Sequence, residues 1–278
     1  MKTPFKNNYT ILLMAVLAGL SSAAISYVAQ FFIPYPFVRI WTRVFALIFI
    51  ILLVYDCKRS SIGKKELGLD FSNAGKKYIA GFLSGFLSLV ILLSVLFLFR
   101  LRYPDPEFHF SILPAKIGLA LLTGIAISTF EEIIFRGYIY SKIKMFRPER
   151  YAFWITIIVF ASIHLVKPLL IDGETLFPGH LPAICGIFVV SYILMDARIK
   201  TGSLLFSMGI HTAWVFVMKA DGIIIDVPTH YNGAWFNVLF GSTEYFEGGL
   251  VSCAVLVLLA LFLSKRVYPL LSKGSLPG

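Results

Sequence analysis

The chain has 278 residues, 58% hydrophobic and 14% charged, with a formal net charge of +10 and a mean hydropathy of +0.82. A single soluble core cannot hide so much apolar surface, so a water-soluble globular domain is excluded and the natural solvent is a bilayer. The basic excess does not indicate nucleic acid either, because it follows the apolar segments instead of gathering on one face.

A membrane span needs about 20 mainly apolar residues. In chain order, eight segments qualify as predicted spans: Tyr9–Ile33, Ile40–Tyr55, Tyr78–Phe99, Leu113–Tyr140, Tyr151–Val166, Leu181–Met195, Thr201–Met218 and Gly249–Leu263. The first follows Lys2 and Lys6 and so looks like a signal peptide. Its apolar run is too long for a signal h-region, and it reads as a retained span. With the N-terminus inside, the cytoplasmic segments hold 17 of the 25 basic residues and the opposite side holds six. Lys116 and Arg136 fall within spans. This positive-inside bias predicts an all-α, polytopic helical bundle of about eight transmembrane helices, N-in and C-in.

The connections are plainer. The longest cytoplasmic loop, Asp56–Lys77, reads as a solvated connector, with docking of its basic residues on anionic headgroups as the competing reading. The outer loops Lys167–His180 and Lys219–Gly248 collect ionisable residues as surface loops do, and His109, His180 and His230 read as solvated. Cys57, Cys185 and Cys253 show no metal-ligand or CxxC spacing. Cys185 and Cys253 lie in or near spans and read as packed there. There is no internal repeat.

The fourth span is the exception. Ser128–Gly137 reads STFEEIIFRG, two carboxylates and a guanidinium inside an apolar run. Each charge at the bilayer centre costs about 2.5–3.5 kcal/mol on insertion scales, so these groups must pair or face a polar cavity. Glu132 and Arg136 are i, i+4 and can pair. Glu131 sits about 140° around the helix from Arg136 and needs a partner from another helix. His164, in the fifth span, and His211, in the seventh, are available. At 1.5 Å per residue from the cytoplasmic charges, Glu131 and His211 lie roughly 16 Å deep and His164 roughly 21 Å. Three polar groups on three helices thus share one layer. Each histidine alone is as well explained as interhelical glue, but the combination marks a functional site.

At these residues the chain resembles the CAAX prenyl protease 2 and bacteriocin-processing family, which includes lysostaphin-resistance-protein-A-like proteins. Glu131–Gly137, EEIIFRG, matches the family's EExxxR motif, and Phe160–His164, FASIH, its FxxxH motif. His211 stands where the third motif begins. The resemblance implies a glutamic-type intramembrane endopeptidase with its core in 113–219, after N-terminal helices and a cytoplasmic loop in 1–112 and before an outer loop and last helix in 220–278. It implies Glu131 as the base that activates water, His164 as its assistant, and His211 as an oxyanion stabiliser. Glu132 and Arg136 would hold the first motif in place. The third motif usually continues to Asn or Asp four residues on; here that position is Val215. Trp214, an indole N–H donor, is the neighbour that could substitute.

No cofactor is implied. Two glutamates and two histidines could instead ligate zinc, although there is no HExxH and Arg136 already answers Glu132. A catalytically inactive scaffold or bacteriocin-immunity protein is the reading that Val215 favours. A proton-coupled transporter would also use buried Glu and His, but repeated halves and paired broken spans are absent. The expected partners are the lipid bilayer and a membrane-embedded or lipid-anchored protein or peptide substrate, without nucleic acid. Short connections fit a prokaryotic protein of the bacterial cytoplasmic membrane.

Overall fold

The computed structural model describes residues 50–100, 103–104, 113–166, 181–226 and 249–273, together with Ile48 and Leu239. It forms two compact units, Met1–Gly63 and Lys64–Gly278. In the first, helix α1 (50–59) closes with the Ile62 N–H donating to the Cys57 carbonyl at 2.9 Å.

The second unit contains α2 (Lys64–Leu67), α3 (Ala74–Leu98), α4 (Leu113–Lys144), α5 (Glu149–Val166), α6 (Leu181–Thr201), α7 (Leu204–Ile224) and α8 (Leu250–Lys273). Helix α4 widens into a π-helix over Ile133–Ile139, and α8 does so over Leu263–Val267. Among the described residues the only strand pairing is an antiparallel bridge, β1 (Tyr103–Pro104) to β2 (Ile225–Asp226), with Tyr103 opposite Asp226.

Among the described residues, three helical stretches are long and apolar enough to cross a membrane: Ala74–Leu98, Leu113–Lys144 and Leu250–Leu270. Leu204–Ala220 is apolar but shorter. The other predicted spans from Tyr78 onward also fall on helices, while Tyr9–Ile33 and all but the end of Ile40–Tyr55 lie outside the described residues. One boundary moves. Thr201, expected to open the seventh span, closes α6, and Gly202 turns the chain with φ 65° before α7 begins at Leu204.

The helices sort their side chains as a bilayer requires. Leu83, Leu87 and Ile91 on α3, Leu119 and Leu122 on α4, and Leu258 and Phe262 on α8 are exposed apolar groups. Leu92, Leu96, Ile193, Leu194, Phe206, Ile210 and Leu263 form the buried core. In lipid, exposed leucines need no burial, so helix association depends on close backbone packing. Small residues provide it here. Gly81 and Gly85, four apart on α3, face Phe206 and Ile210 of α7, and Gly209 of α7 faces Tyr78 and Phe82 of α3. A Cβ at Gly85 would lie 2.6 Å from the Ile210 carbonyl oxygen. On α4, a Cβ at Gly124 would lie 2.8 Å from the Thr212 carbonyl oxygen. The pairings ascend together along α3 and α7 and oppose along α4, so α3 and α7 run parallel and α4 antiparallel to both.

The expectation of a solvated connector over Asp56–Lys77 fails at its centre. The Glu66 carbonyl accepts from Ser141 Oγ at 2.7 Å and from Arg198 Nη2 at 3.0 Å. The Gly68 carbonyl accepts from the Leu204 N–H at 2.8 Å. That N–H opens α7 and has no partner within its helix, so the loop caps it. Gly68 takes φ 75°, and Arg198 fills the space where its side chain would stand. The loop docks through backbone carbonyls, which leave no hydropathy signal. None of the three cysteines forms a disulfide; Cys57 is buried, and Cys185 lies exposed on α6, where lipid can cover it.

Candidate functional site

The site grows from the point where α4 changes pitch. The α-helix ends at Glu132, and the seven-residue π-helix that follows keeps Arg136, Gly137 and Tyr138 buried. π-turns inside α-helices recur at functional sites. Glu132 and Arg136 are both fully buried, and Arg136 Nη1 donates to Glu132 Oε1 at 3.0 Å. The predicted i, i+4 pair is therefore made. Arg136 Nη2 also donates to Ser191 Oγ of α6 at 3.2 Å, and its guanidinium lies 4.0 Å above the centre of the Phe160 ring.

Glu132 has a second partner that i, i+4 spacing does not reveal. His211 Nδ1 lies 3.0 Å from the same Oε1 atom, across 79 residues of sequence. A carboxylate paired with Arg136 accepts, so His211 Nδ1 carries the proton and donates. His164 is pinned the same way. Its Nδ1 lies 2.9 Å from the Phe160 carbonyl oxygen, which can only accept. Both rings therefore turn Nε2 inward, toward Glu131.

Glu131 stands where those two nitrogens point. Its Oε2 is 3.7 Å from His211 Nε2 and 3.8 Å from His164 Nε2. These gaps exceed a direct hydrogen bond, and Glu131 Oε2, although buried, has no hydrogen-bond partner among the described residues. The three side chains expected to share a layer are thus brought together, each from its own helix. Exposure is graded across them: His164 is 36% exposed, Glu131 23%, His211 8% and Glu132 0%. The site opens on the Glu131–His164 side and is sealed behind His211. No group of three His, Cys, Asp or Glu side chains with metal-holding geometry occurs among the described residues.

Phe160 organises this cluster. Its ring meets Phe135 edge-on at 5.0 Å, stacks at a tilt on His164 at 4.2 Å, and lies 6.4 Å from the His211 ring. It carries Arg136 on its face and holds His164 through its carbonyl. The first residue of FASIH matters through four neighbours, none visible from spacing.

The third motif departs from expectation in a second way. Trp214 does not turn its indole N–H into the site, because Nε1 donates to Ser88 Oγ of α3 at 3.0 Å. Val215 is buried. The next residue after His211 proves more informative. Thr212 Oγ1 lies 2.5 Å from Ser128 Oγ and accepts from Tyr78 OH at 2.8 Å. Thr212 and Ser128 are fully buried. Sequence reasoning missed this trio because single Ser, Thr and Tyr residues in apolar helices carry no periodic signal. His109, His180 and His230 lie outside the described residues.

Residues 113–217 match the family model described as Rce1-like, type II CAAX prenyl endopeptidase. No curated protein and no solved structure matches the chain.

Proposed function

Since residues 113–217 match the model of the Rce1-like, type II CAAX prenyl endopeptidase family, we propose that the chain is an intramembrane endopeptidase in which Glu131 and His164 activate a water molecule. The observation that carries this reading is the convergence of Glu131 Oε2 with the Nε2 atoms of His211 and His164 at 3.7 and 3.8 Å. A water oxygen about 2.8 Å from each acceptor spans such a gap. It donates one hydrogen to Glu131 and the other to His164, leaving an oxygen lone pair free.

In the reaction that lone pair attacks the scissile carbonyl carbon and the carbonyl π pair moves to oxygen. Glu131 takes the proton that the water loses. His211, doubly protonated and held by Glu132 at Nδ1, offers Nε2–H to the oxyanion. Glu132 then acts on His211 as an orienting carboxylate acts in a hydrolase triad. When the C–N bond breaks, the oxyanion pair re-forms the carbonyl and Glu131 returns its proton to the leaving nitrogen, giving a carboxylic acid and an amine. His211 supplies the donor that Asn or Asp at position 215 would otherwise bring.

The graded exposure, with Glu131 and His164 outermost, supports a substrate that is itself membrane-associated: a membrane-embedded or lipid-anchored protein or peptide. An eight-span, N-in and C-in arrangement in the bacterial cytoplasmic membrane fits the charge distribution and the alternating run of α3, α4 and α7. A zinc-dependent reading rests on one specific observation, the two Nε2 atoms facing a carboxylate. Tetrahedral zinc, with bonds of about 2.0–2.1 Å, places ligand atoms roughly 3.3–3.4 Å apart, so the three side chains would have to close in. The inactive-scaffold reading rests on Val215 and on Trp214 being engaged elsewhere.

The test is cleavage of membrane-segment peptides and of a C-terminally prenylated peptide by the purified chain in detergent, with Glu131→Gln alongside. Cleavage that is lost in Glu131→Gln and survives chelator is the expected result. Cleavage abolished by chelator and restored by zinc selects the metal-dependent reading. Equal cleavage by both proteins refutes the role of Glu131, and no cleavage of peptides that a related enzyme cuts selects the scaffold.

A further inference from the structure

The buried hydroxyls beside His211 form a chain whose direction is fixed by its end. Ser128 Oγ donates to the Ile125 carbonyl at 3.2 Å, and a carbonyl can only accept. With its single hydrogen spent there, Ser128 accepts from Thr212 across 2.5 Å. Thr212 in turn accepts from Tyr78 OH at 2.8 Å. The order is Tyr78 to Thr212 to Ser128 to Ile125, crossing from α3 through α7 to α4. Aligned hydrogen bonds of this kind strengthen one another in a low-dielectric interior.

Its location gives it a task. Thr212 follows His211 directly. Ser128 lies one turn before Glu132 on the same face of α4. The strap therefore joins the two helices whose relative register sets the 3.0 Å contact between His211 Nδ1 and Glu132 Oε1. Glycine contacts hold α7 close to α3 and α4, but apolar close packing does not prevent sliding along a helix axis. Directional hydrogen bonds do.

We propose that Thr212, with Tyr78 and Ser128, is a positioning residue: it fixes the register of α7 against α4, and so keeps His211 Nδ1 donating to Glu132 and Nε2 turned to Glu131. The inference concerns the cluster reading above and deepens it, but its test needs no substrate.

The experiment uses the full-length chain in detergent with 15N-labelled histidine, comparing wild type with Thr212→Val, which keeps the shape and removes the hydroxyl, and Thr212→Ser, which restores it. Wild type and Thr212→Ser are expected to show one downfield Nδ1–H signal for His211, assigned by its loss in His211→Gln. Thr212→Val is expected to lose that signal or split it between tautomers while keeping its helical circular dichroism. An unchanged signal in Thr212→Val overturns the proposal, as does a wild-type His211 protonated on Nε2 alone. If Thr212→Val fails to fold, Ser128→Ala and Tyr78→Phe carry the same test from the other two helices. Where cleavage is measurable, Thr212→Val lowers kcat about tenfold with KM unchanged, a barrier change matching one misdirected group. Loss of cleavage in Glu131→Gln with normal turnover in Thr212→Val would sink the strap and leave the protease standing. Equal cleavage by wild type and Glu131→Gln, with the His211 signal altered in Thr212→Val, would do the reverse.

Discussion

Replacing Glu132 by Gln keeps the side chain's shape and deletes its charge. Two charge-assisted hydrogen bonds converge on Glu132 Oε1, from Arg136 and from His211, each 3.0 Å long. Each such bond contributes about 1.5–3 kcal/mol. Both Glu132 and Arg136 have 0% side-chain exposure, so the change strands a buried guanidinium. Breaking one partner of a buried pair costs about 3–5 kcal/mol, and the two estimates agree. Arg136→Met strands the carboxylate instead and costs a similar amount. The double variant strands neither, so its loss falls well short of the sum of the singles. The assay is reversible unfolding of the purified chain in mixed micelles titrated with SDS, followed by tryptophan fluorescence and circular dichroism. An internal control is Glu149→Gln, since the Lys144–Glu149 pair is 48% and 49% exposed at its two side chains and such pairs contribute under about 1 kcal/mol. The reasoning is refuted if Glu132→Gln costs no more than Glu149→Gln, or if the double variant is additive to within about 0.5 kcal/mol.

Three further outcomes follow from the same geometry. Gly85→Ala places a methyl carbon 2.6 Å from the Ile210 carbonyl oxygen, and overpacking of this kind costs about 1–3 kcal/mol, read in the same SDS titration. Gly118→Ala, with nothing within 4 Å, gains about 0.5–1 kcal/mol from helix propensity, and a loss there would contradict the packing argument. The Lys77 ammonium donates to Asp70 Oδ2 at 2.7 Å and, with Ser72, holds that carboxyl below its usual range. A lowered carboxylate pKa contributes stability that is complete above its unfolded value of about 3.9 and is lost as pH falls through the folded value. The stability difference between wild type and Asp70→Asn should therefore be constant above about pH 5 and vanish toward acid; a difference that persists in acid counts against the pair. Val215→Asn tests the oxyanion assignment. With His211 as donor, cleavage changes only a few-fold, whereas a gain of about 10²–10³, the worth of one oxyanion donor, would show that the donor had been missing.

Much of the site was legible because membrane insertion makes charge conspicuous. Glu131, Glu132 and Arg136 stand out in an apolar run, and counting residues from the cytoplasmic charges placed Glu131 level with His164 and His211. The i, i+4 pair followed from helix geometry alone. Counting fixes depth along a helix axis but says nothing of the helix's rotation or neighbours. The Glu132–His211 contact, the π-helix after Glu132 and the turning of Trp214 toward Ser88 all depend on that rotation. Trp214 was a reasonable substitute donor by position, and the packing of α7 on α3 removed it.

By itself, the sequence determined the solvent, the helical class and the placement of the intramembrane polar groups. Each follows from local composition and from the 1.5 Å rise of a helix. Only the tertiary structure decided which nitrogen of each histidine faces Glu131, because that depends on acceptors supplied by Glu132 and by the Phe160 backbone. It also decided the docking of the Glu66–Gly68 loop on Ser141, Arg198 and Leu204, and the hydroxyl strap through Tyr78, Thr212 and Ser128. Except for the Phe160–His164 contact, these partners are 75 to 136 residues apart in the chain. Their hydrogen bonds depend on atom positions to within a few tenths of an ångström, which helix packing sets and residue spacing does not.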